Sequence, residues 1–424
     1  MNEPSLKALE DLKGKESIVK IFCDLISFDT RSDPLSKNVP STMGQLRMGA
    51  SLVNTLRTLG FDAKQEPNGV IYCRVPASKE AQKAPSLALL AHMDTAPDAS
   101  GAGVTPYLVE KYSGGGIVLK NGLVLDEKIC KELGSHLGED IIVTGGDTLL
   151  GGDDKAGVAV LMQLLHDLSL NPEIPHPELC VIFTVDEEIG NSADLVDLAK
   201  VNCTYGVTVD GCERGELDLA TFNAYAALVE IKGRSVHTGT AYKVMQNACE
   251  LACRFMNLLP QNEKPENTCG LEGFFHVHRM TAETALAKIS LIVRDFDEEG
   301  MQKRLKVLQD IAVFMNRECG YDAVSVTTKH QYSNLSKALK EHPLIVDLCR
   351  KAYENAELCP NEISVRGGTD GSNLSQRGLP CPNIFTGSLN CHGPYECLPV
   401  PSLLKAYETV RALIELSAEV CHES

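Results

Sequence analysis

Leu179-Cys180-Val181-Ile182-Phe183-Thr184-Val185-Asp186-Glu187-Glu188 is an apolar run that ends on three carboxylates. Its first seven residues are β-branched, aromatic or otherwise apolar and show no polar alternation. They read as a strand buried on both faces, as in the middle of a parallel sheet. The same texture recurs on either side. Residues 70–75 and 87–90 read as strands, and 206–209 and 383–386 as short ones. Helical periods lie between them. Residues 17–28 place Ile18, Ile21, Phe22, Leu25 and Ile26 on one face, 47–59 stop at Gly60, and 156–168 carry Val158, Leu161 and Leu165. Strand and helix in alternation predict an α/β domain with a central mixed sheet and helices on both faces. Near Thr221 the pattern changes. Strands over 224–232, 287–295 and 323–330, helices over 247–258 and 298–318, and a Pro- and Glu-rich loop after the first helix predict an α+β block. Beyond Tyr332 the α/β texture returns, with helices over 342–354 and 401–416. The expected organisation is a discontinuous domain over 1–220 and 333–424, interrupted by an inserted domain over 221–332.

The chain's 424 residues are enough for two or three domains. With 43% hydrophobic and 23% charged residues it can bury a core that offsets its ordering entropy. A net charge of −17 repels phosphate backbones and anionic lipid, so neither a nucleic-acid partner nor a membrane surface is expected. No apolar run approaches the ~18 residues of a membrane span. The first twenty residues are charged, are broken by Pro4 and Gly14, and lack the features of a signal peptide. The 16 cysteines contain no CxxC pair, which excludes a zinc ribbon or a redox pair of that spacing. Several (Cys23, Cys180, Cys249, Cys253, Cys349) lie in apolar segments and are expected as small buried hydrophobes in a reducing compartment. A cytoplasmic protein is the expectation.

Chemistry-bearing residues gather where apolar runs stop. His92-Met93-Asp94 follows 87–91, and Asp186-Glu187-Glu188 follows 181–185. Asp210 follows 206–209, and His392-Gly393 comes shortly after 383–386. Asp153-Asp154-Lys155 follows a loop containing Gly145, Gly146, Gly151 and Gly152 and opens a helix. Each has an ordinary reading when taken singly: a surface His-x-Asp, a capping turn, a solvated edge. In an open α/β sheet, however, ligand sites lie beyond the carboxyl ends of the strands, so the clusters can converge. Imidazoles and carboxylates together suit zinc and similar divalent ions, and a pair of ions needs a bridging carboxylate. Asp94 is placed to orient His92 through its other ring nitrogen. Glu187 and Glu188 point differently, so one can bind metal while the other acts as a base. No GxGxxG, P-loop lysine or G-x-S-x-G motif is present.

Several segments carry a resemblance over nearly the whole chain. They are His92-Met93-Asp94-Thr95, Thr148-Leu149-Leu150-Gly151-Gly152-Asp153-Asp154-Lys155-Ala156-Gly157 and Phe183-Thr184-Val185-Asp186-Glu187-Glu188-Ile189-Gly190. Thr208-Val209-Asp210-Gly211, His237-Thr238-Gly239-Thr240-Ala241, Ile292-Val293-Arg294-Asp295-Phe296-Asp297, Arg366-Gly367-Gly368-Thr369-Asp370-Gly371 and His392-Gly393 complete the set. The sequence resembles the peptidase T family, tripeptide aminopeptidases among the two-zinc aminoacylases and exopeptidases. The resemblance implies a zinc-binding catalytic domain over 1–220 and 333–424 and a lid or substrate domain over 221–332. It implies two zinc ions per chain, with other divalent ions able to serve in vitro. Asp153 would bridge them, His92 and Asp210 would complete one site, and Glu188 and His392 the other. Asp94 would orient His92, and Glu187 would be the general base toward a metal-bridging water. The Asp153–Asp154 peptide bond would be cis. His237 would stabilise the oxyanion, Arg294 would meet the peptide carboxylate, and Arg366 would add a substrate contact. Short peptides, mainly tripeptides, are the implied substrates, and members of the family include homodimers built through the inserted domain. The other readings are a related dipeptidase, carboxypeptidase or N-acyl amino-acid deacylase, and a non-catalytic peptide- or metal-binding protein. Two departures from the family bear on specificity: Thr238, where Pro is usual, and Cys391-His392-Gly393-Pro394-Tyr395-Glu396, where Tyr-His-Gly-Lys-His-Glu is usual.

Overall fold

The computed structural model describes residues 2–420. The chain forms two compact units. One comprises the described residues up to Leu219, Lys337–Ile363 and those from Thr369 onward; the other comprises Ala220–Ser336 and Ser364–Gly368.

The first unit is built on an eight-stranded sheet. Its strands lie in the order Asp62–Gln65, Ile71–Val75, Leu179–Thr184, Leu87–His92, Tyr205–Gly211, Asn383–Phe385, Glu216–Thr221 and Asn361–Val365. The sheet is mixed, as its sequence texture predicts. Leu87–His92 runs parallel to Leu179–Thr184 and to Tyr205–Gly211, which in turn runs parallel to Asn383–Phe385. Ile71–Val75 is antiparallel to Leu179–Thr184 and to Asp62–Gln65. Every residue of Leu87–His92 and Leu179–Thr184 is buried, which is why neither shows polar alternation. The helix Gly152–Leu170 packs on Leu87–His92 and Tyr205–Gly211 and also against the helices Ser17–Ile26 and Val400–Ala418. Sandwiched in this way, it buries nearly all its length rather than one stripe.

Short elements escape a reading by period. Asp62–Gln65, Glu216–Thr221 and Asn361–Val365 are strands the sequence pattern does not announce. So are Tyr107–Val109, Ile141–Val143 and Cys397–Pro399, which form a separate antiparallel sheet over a core of Val109, Tyr112, Leu133, Ile141 and Val143. Three residues are too few to display alternation.

The second unit is an α+β layer. Its antiparallel sheet has the order Phe274–Ala282, Leu286–Asp295, Asn223–Lys232, Val324–Tyr332. The helices Ala248–Leu258 and Glu298–Cys319 bury Phe255, Leu308 and Met315 against Val229, Ile231, Ile289 and Leu291. The expected Pro- and Glu-rich loop is in part a strand: Phe274–Ala282 forms the sheet edge and buries only its first two residues, so it lacks an apolar face to signal it. Every described cysteine is a free thiol. Cys23, Cys180 and Cys349 are buried as expected, whereas Cys249 is half-buried and Cys253 lies on the exposed side of its helix. Among the described residues, no helix is long and apolar enough to cross a membrane.

Candidate metal centre

The polar clusters of the first unit meet beyond the carboxyl ends of the parallel strands. His92 ends Leu87–His92, Asp210 lies near the end of Tyr205–Gly211, and Glu187 and Glu188 follow Leu179–Thr184. Asp153 enters from the start of the helix Gly152–Leu170, and His392 from the loop before Cys397–Pro399. Asp153 holds the centre. Its Oδ1 lies 3.0 Å from His92 Nε2 and its Oδ2 lies 3.1 Å from His392 Nε2. His92 Nε2 is also 3.4 Å from Asp210 Oδ1, and His392 Nε2 is 3.2 Å from Glu188 Oε2. Two triads result, His92–Asp153–Asp210 and Asp153–Glu188–His392, each with its ligand atoms within 4.8 Å of one another.

The electrostatics are those of a site crowded with anions. Burial pushes Glu188 up to about 7, reinforced by Asp153 and opposed by His392. Burial likewise lifts Asp210 to about 6 against the pull of His92. Asp153 would be raised by burial, but His392 and His92 hold it well below the usual carboxylate range. His392 is lifted to about 11 by its bonds to Asp153 and Glu188. Burial alone would lower His92, yet Asp210 and Asp153 outweigh it and hold the imidazole well above its ordinary value. Glu188 Oε1 is buried with no hydrogen-bond partner among the described residues. Among the described residues the two triads offer nitrogen and oxygen donors only, one carboxylate is shared through both oxygens, and a buried lone pair is left over. This donor set fits a pair of divalent cations of the zinc type.

A supporting layer holds these donors, and only part of it is visible in the sequence. His92 Nδ1 faces the backbone carbonyl of Asp94 at 3.1 Å, with the Asp94 carboxylate at 3.5 Å. That carboxylate instead accepts the backbone N–H groups of Glu187 (3.0 Å) and Glu188 (3.1 Å), so Asp94 shapes the turn carrying both glutamates. The cis Asp153–Asp154 bond is present. Asp154 is buried and accepts from the backbone N–H of His92 at 3.0 Å and of Gly157 at 3.1 Å. Asp186 adopts the left-handed region at φ 58° and is held there by Ser41 and Gln45, both of which donate to its carboxylate. Asp370 accepts from Thr184 at 2.9 Å and from Ser192 behind the glutamate turn. Glu396 ties the Gly-rich loop. Ser41, Gln45, Asp370 and Glu396 escape a spacing argument because their partners (Asp186, the Thr184 and Ser192 hydroxyls, the 150–153 backbone) lie far away in sequence.

In the second unit, His237 is exposed, and its Nδ1 accepts from the Gly239 N–H at 3.1 Å, which leaves Nε2 to carry the ring proton. Arg294 lies over the Tyr332 ring at 5.4 Å and donates to the carbonyls of Val293 (3.0 Å) and Tyr225 (3.3 Å). Its neighbour Asp295 pairs with Arg304 instead. Arg366 is committed within this unit: it donates to the carbonyls of Gly270 and Glu272 and to Thr268 Oγ1, and stacks on Phe222 and Phe274. Together with the Phe222 N–H bond to the Gly367 carbonyl, these contacts tie the 364–368 stretch to this unit.

Comparison with known proteins bears on this architecture. The family model described as Peptidase family M20/M25/M40 matches residues 151–416. A relative named Peptidase T, from Clostridium acetobutylicum, is 39% identical over 407 residues, covering 95% of this chain and all of its own length. The crystal structure of aminopeptidase PepT from Bacillus cereus superposes with a TM-score of 0.74 at 22% identity, covering 95% of this chain and 98% of that one. The Bacillus subtilis YXEP protein, described as a dinuclear metal-binding peptidase, has a TM-score of 0.62 at 15% identity over 98% of this chain and the whole of its own. On this full-length similarity the chain belongs to peptidase family M20/M25/M40, in its peptidase T group.

Proposed function

We propose that the protein is a metal-dependent aminopeptidase that removes the N-terminal residue from tripeptides. The observation that carries this reading is the Asp153 carboxylate, shared through its two oxygens between His92 and His392. His92, Asp153 and Asp210 would hold one divalent ion, and Asp153, Glu188 and His392 the other, with zinc the expected metal. Bound there, the ions would polarise the scissile carbonyl and acidify the attacking water. Glu187 takes the proton of the attacking water and returns it to the leaving amine. Asp94 holds the turn that aims Glu187 and orients His92. His237, with its proton on Nε2, donates to the developing oxyanion.

Length selection needs a cationic group for the far carboxylate. Arg294 is half-buried and its observed acceptors are neutral carbonyls, which supports giving it that role. Arg366, whose donors are largely engaged, contributes by fixing the 268–272 loop.

The test is hydrolysis by zinc-loaded protein of di-, tri- and tetrapeptides, with free and blocked termini. The reading expects the free tripeptide to be preferred and N-acylation to abolish cleavage. Preferred cleavage of N-acylated amino acids or of dipeptides would replace it with one of the sister activities. Arg294→Ala should erase the preference for a tripeptide over its C-terminal amide; an unchanged ratio removes Arg294 from the role.

A further inference from the structure

We propose that Glu396 is a positioning residue for the metal pair, fixing the loop that delivers Asp153 against the loop that delivers His392. The proposal rests on the two-ion reading above. Glu396 is buried, and its carboxylate receives four donors. Oε2 accepts the backbone N–H of Leu150 at 2.7 Å and of Gly151 at 2.8 Å. Oε1 accepts the N–H of Asp153 at 3.1 Å and the hydroxyl of Ser388 at 3.3 Å. Three of these donors belong to the Asp153 loop and the fourth to the His392 loop. Glu396 closes the second loop as well, its own N–H donating to the Gly393 carbonyl at 3.2 Å in the turn just past His392. The loops touch directly, since a Cβ on Gly152 would overlap Ser388 Oγ.

A carboxylate serves here because its four lone-pair positions match four donors. The consequence is unequal between the two ions. The Asp153–Glu188–His392 triad takes two ligands from the tied loops. The His92–Asp153–Asp210 triad takes one, and its other two ride on sheet strands. Loosening Glu396 therefore loosens the ion beside His392 first.

The test is titration of metal-free protein with Zn²⁺ in competition with a chromophoric chelator. It uses wild type, Glu396→Gln, Ser388→Ala, His392→Ala and the Glu396→Gln/His392→Ala pair. Gln turns one acceptor into an N–H donor, so at least one backbone N–H loses its partner. Wild type should bind two ions. Glu396→Gln should bind the ion beside His392 about 10–100-fold more weakly, the usual effect of removing an outer-shell partner, and the ion beside His92 more weakly by a clearly smaller factor. Ser388→Ala should weaken the same ion by a smaller factor. Adding Glu396→Gln to His392→Ala should cost the remaining ion only that smaller factor, so most of the effect of Glu396→Gln disappears with His392, a non-additivity that a merely structural role would not produce. Equal weakening of both ions, unchanged binding, or an undiminished loss in the double variant overturns the proposal. If Glu396→Gln does not fold, Ser388→Ala decides by the same criterion. Fewer than two ions on wild type would instead overturn the two-ion reading itself.

Discussion

Glu187 has a carboxyl pushed well above the usual range, first by burial and then by Asp210, Asp370 and Glu188, with His92 opposing. A base must be ionised, and cations bound beside it would reverse the sign of that environment. Glu187→Gln is expected to bind metal as wild type does and to lose a ~10²–10⁴-fold factor in kcat, the contribution of general-base catalysis. Near-wild-type turnover would remove the assignment. The raised values of Glu188 and Asp210 give a pH dependence. The ions need ionised carboxylates, so binding displaces protons and affinity should fall as pH drops from about 7 to about 5. Metal affinity measured across that interval checks the sign, and a flat profile would contradict it. His92, Glu188, Asp210 and His392 were legible because each ended or followed an apolar run, and Asp153 because it follows a Gly-rich loop that opens a helix. Asp186, Asp370 and Glu396 were quoted only as parts of motifs. Their contacts to Gln45, Ser192 and the 150–153 loop join distant segments and have no period or spacing to reveal them.

The helix Gly152–Leu170 meets the strand Tyr205–Gly211 at Gly157, where a Cβ would overlap the Val209 carbonyl and the Asp154 carboxylate. Backbone cannot step aside cheaply, so Gly157→Ala should lower unfolding stability by about 1–3 kcal/mol in urea titration. Wild-type stability would show that the contact yields. A second element-scale effect lies at His136, at the end of Lys131–His136. Burial alone would lower its pKa, but Glu213 at 3.2 Å and Glu139 at 2.8 Å raise it. A pKa higher in the folded state means the stabilisation is complete below the unfolded value of ~6.5 and fades as pH rises through the folded value. The stability gap between wild type and His136→Gln should therefore shrink from acidic toward alkaline pH; a constant gap would show that the pairing carries no charge. Long buried strands and amphipathic helices could be read from sequence to within a few residues. The Gly152–Leu170 helix, buried on several sides, was seen only by its Val158–Leu161–Leu165 stripe, and the three-residue strands around Ile141–Val143 were not seen at all.

Each unit encloses its own apolar core, and the first unit's buried strands and helices extend far beyond the polar cluster. Removing metal with a chelator should accordingly abolish peptide hydrolysis while leaving the far-ultraviolet dichroism close to native; loss of both together would mean the ions hold the fold. The class of each unit was legible because the change from buried runs to alternating strands near Thr221 marks a change of sheet type. The return of 364–368 to the second unit was not, since its contacts, such as those of Arg366 with Thr268 and Gly270, join segments far apart in sequence. At every scale the reading turns on Asp153 joining two cation sites. Anomalous diffraction from zinc-loaded crystals measures that directly. Two peaks flanking the Asp153 carboxylate are predicted, one against His92 and Asp210, the other against Glu188 and His392. A single peak, or metal bound away from Asp153, would contradict it.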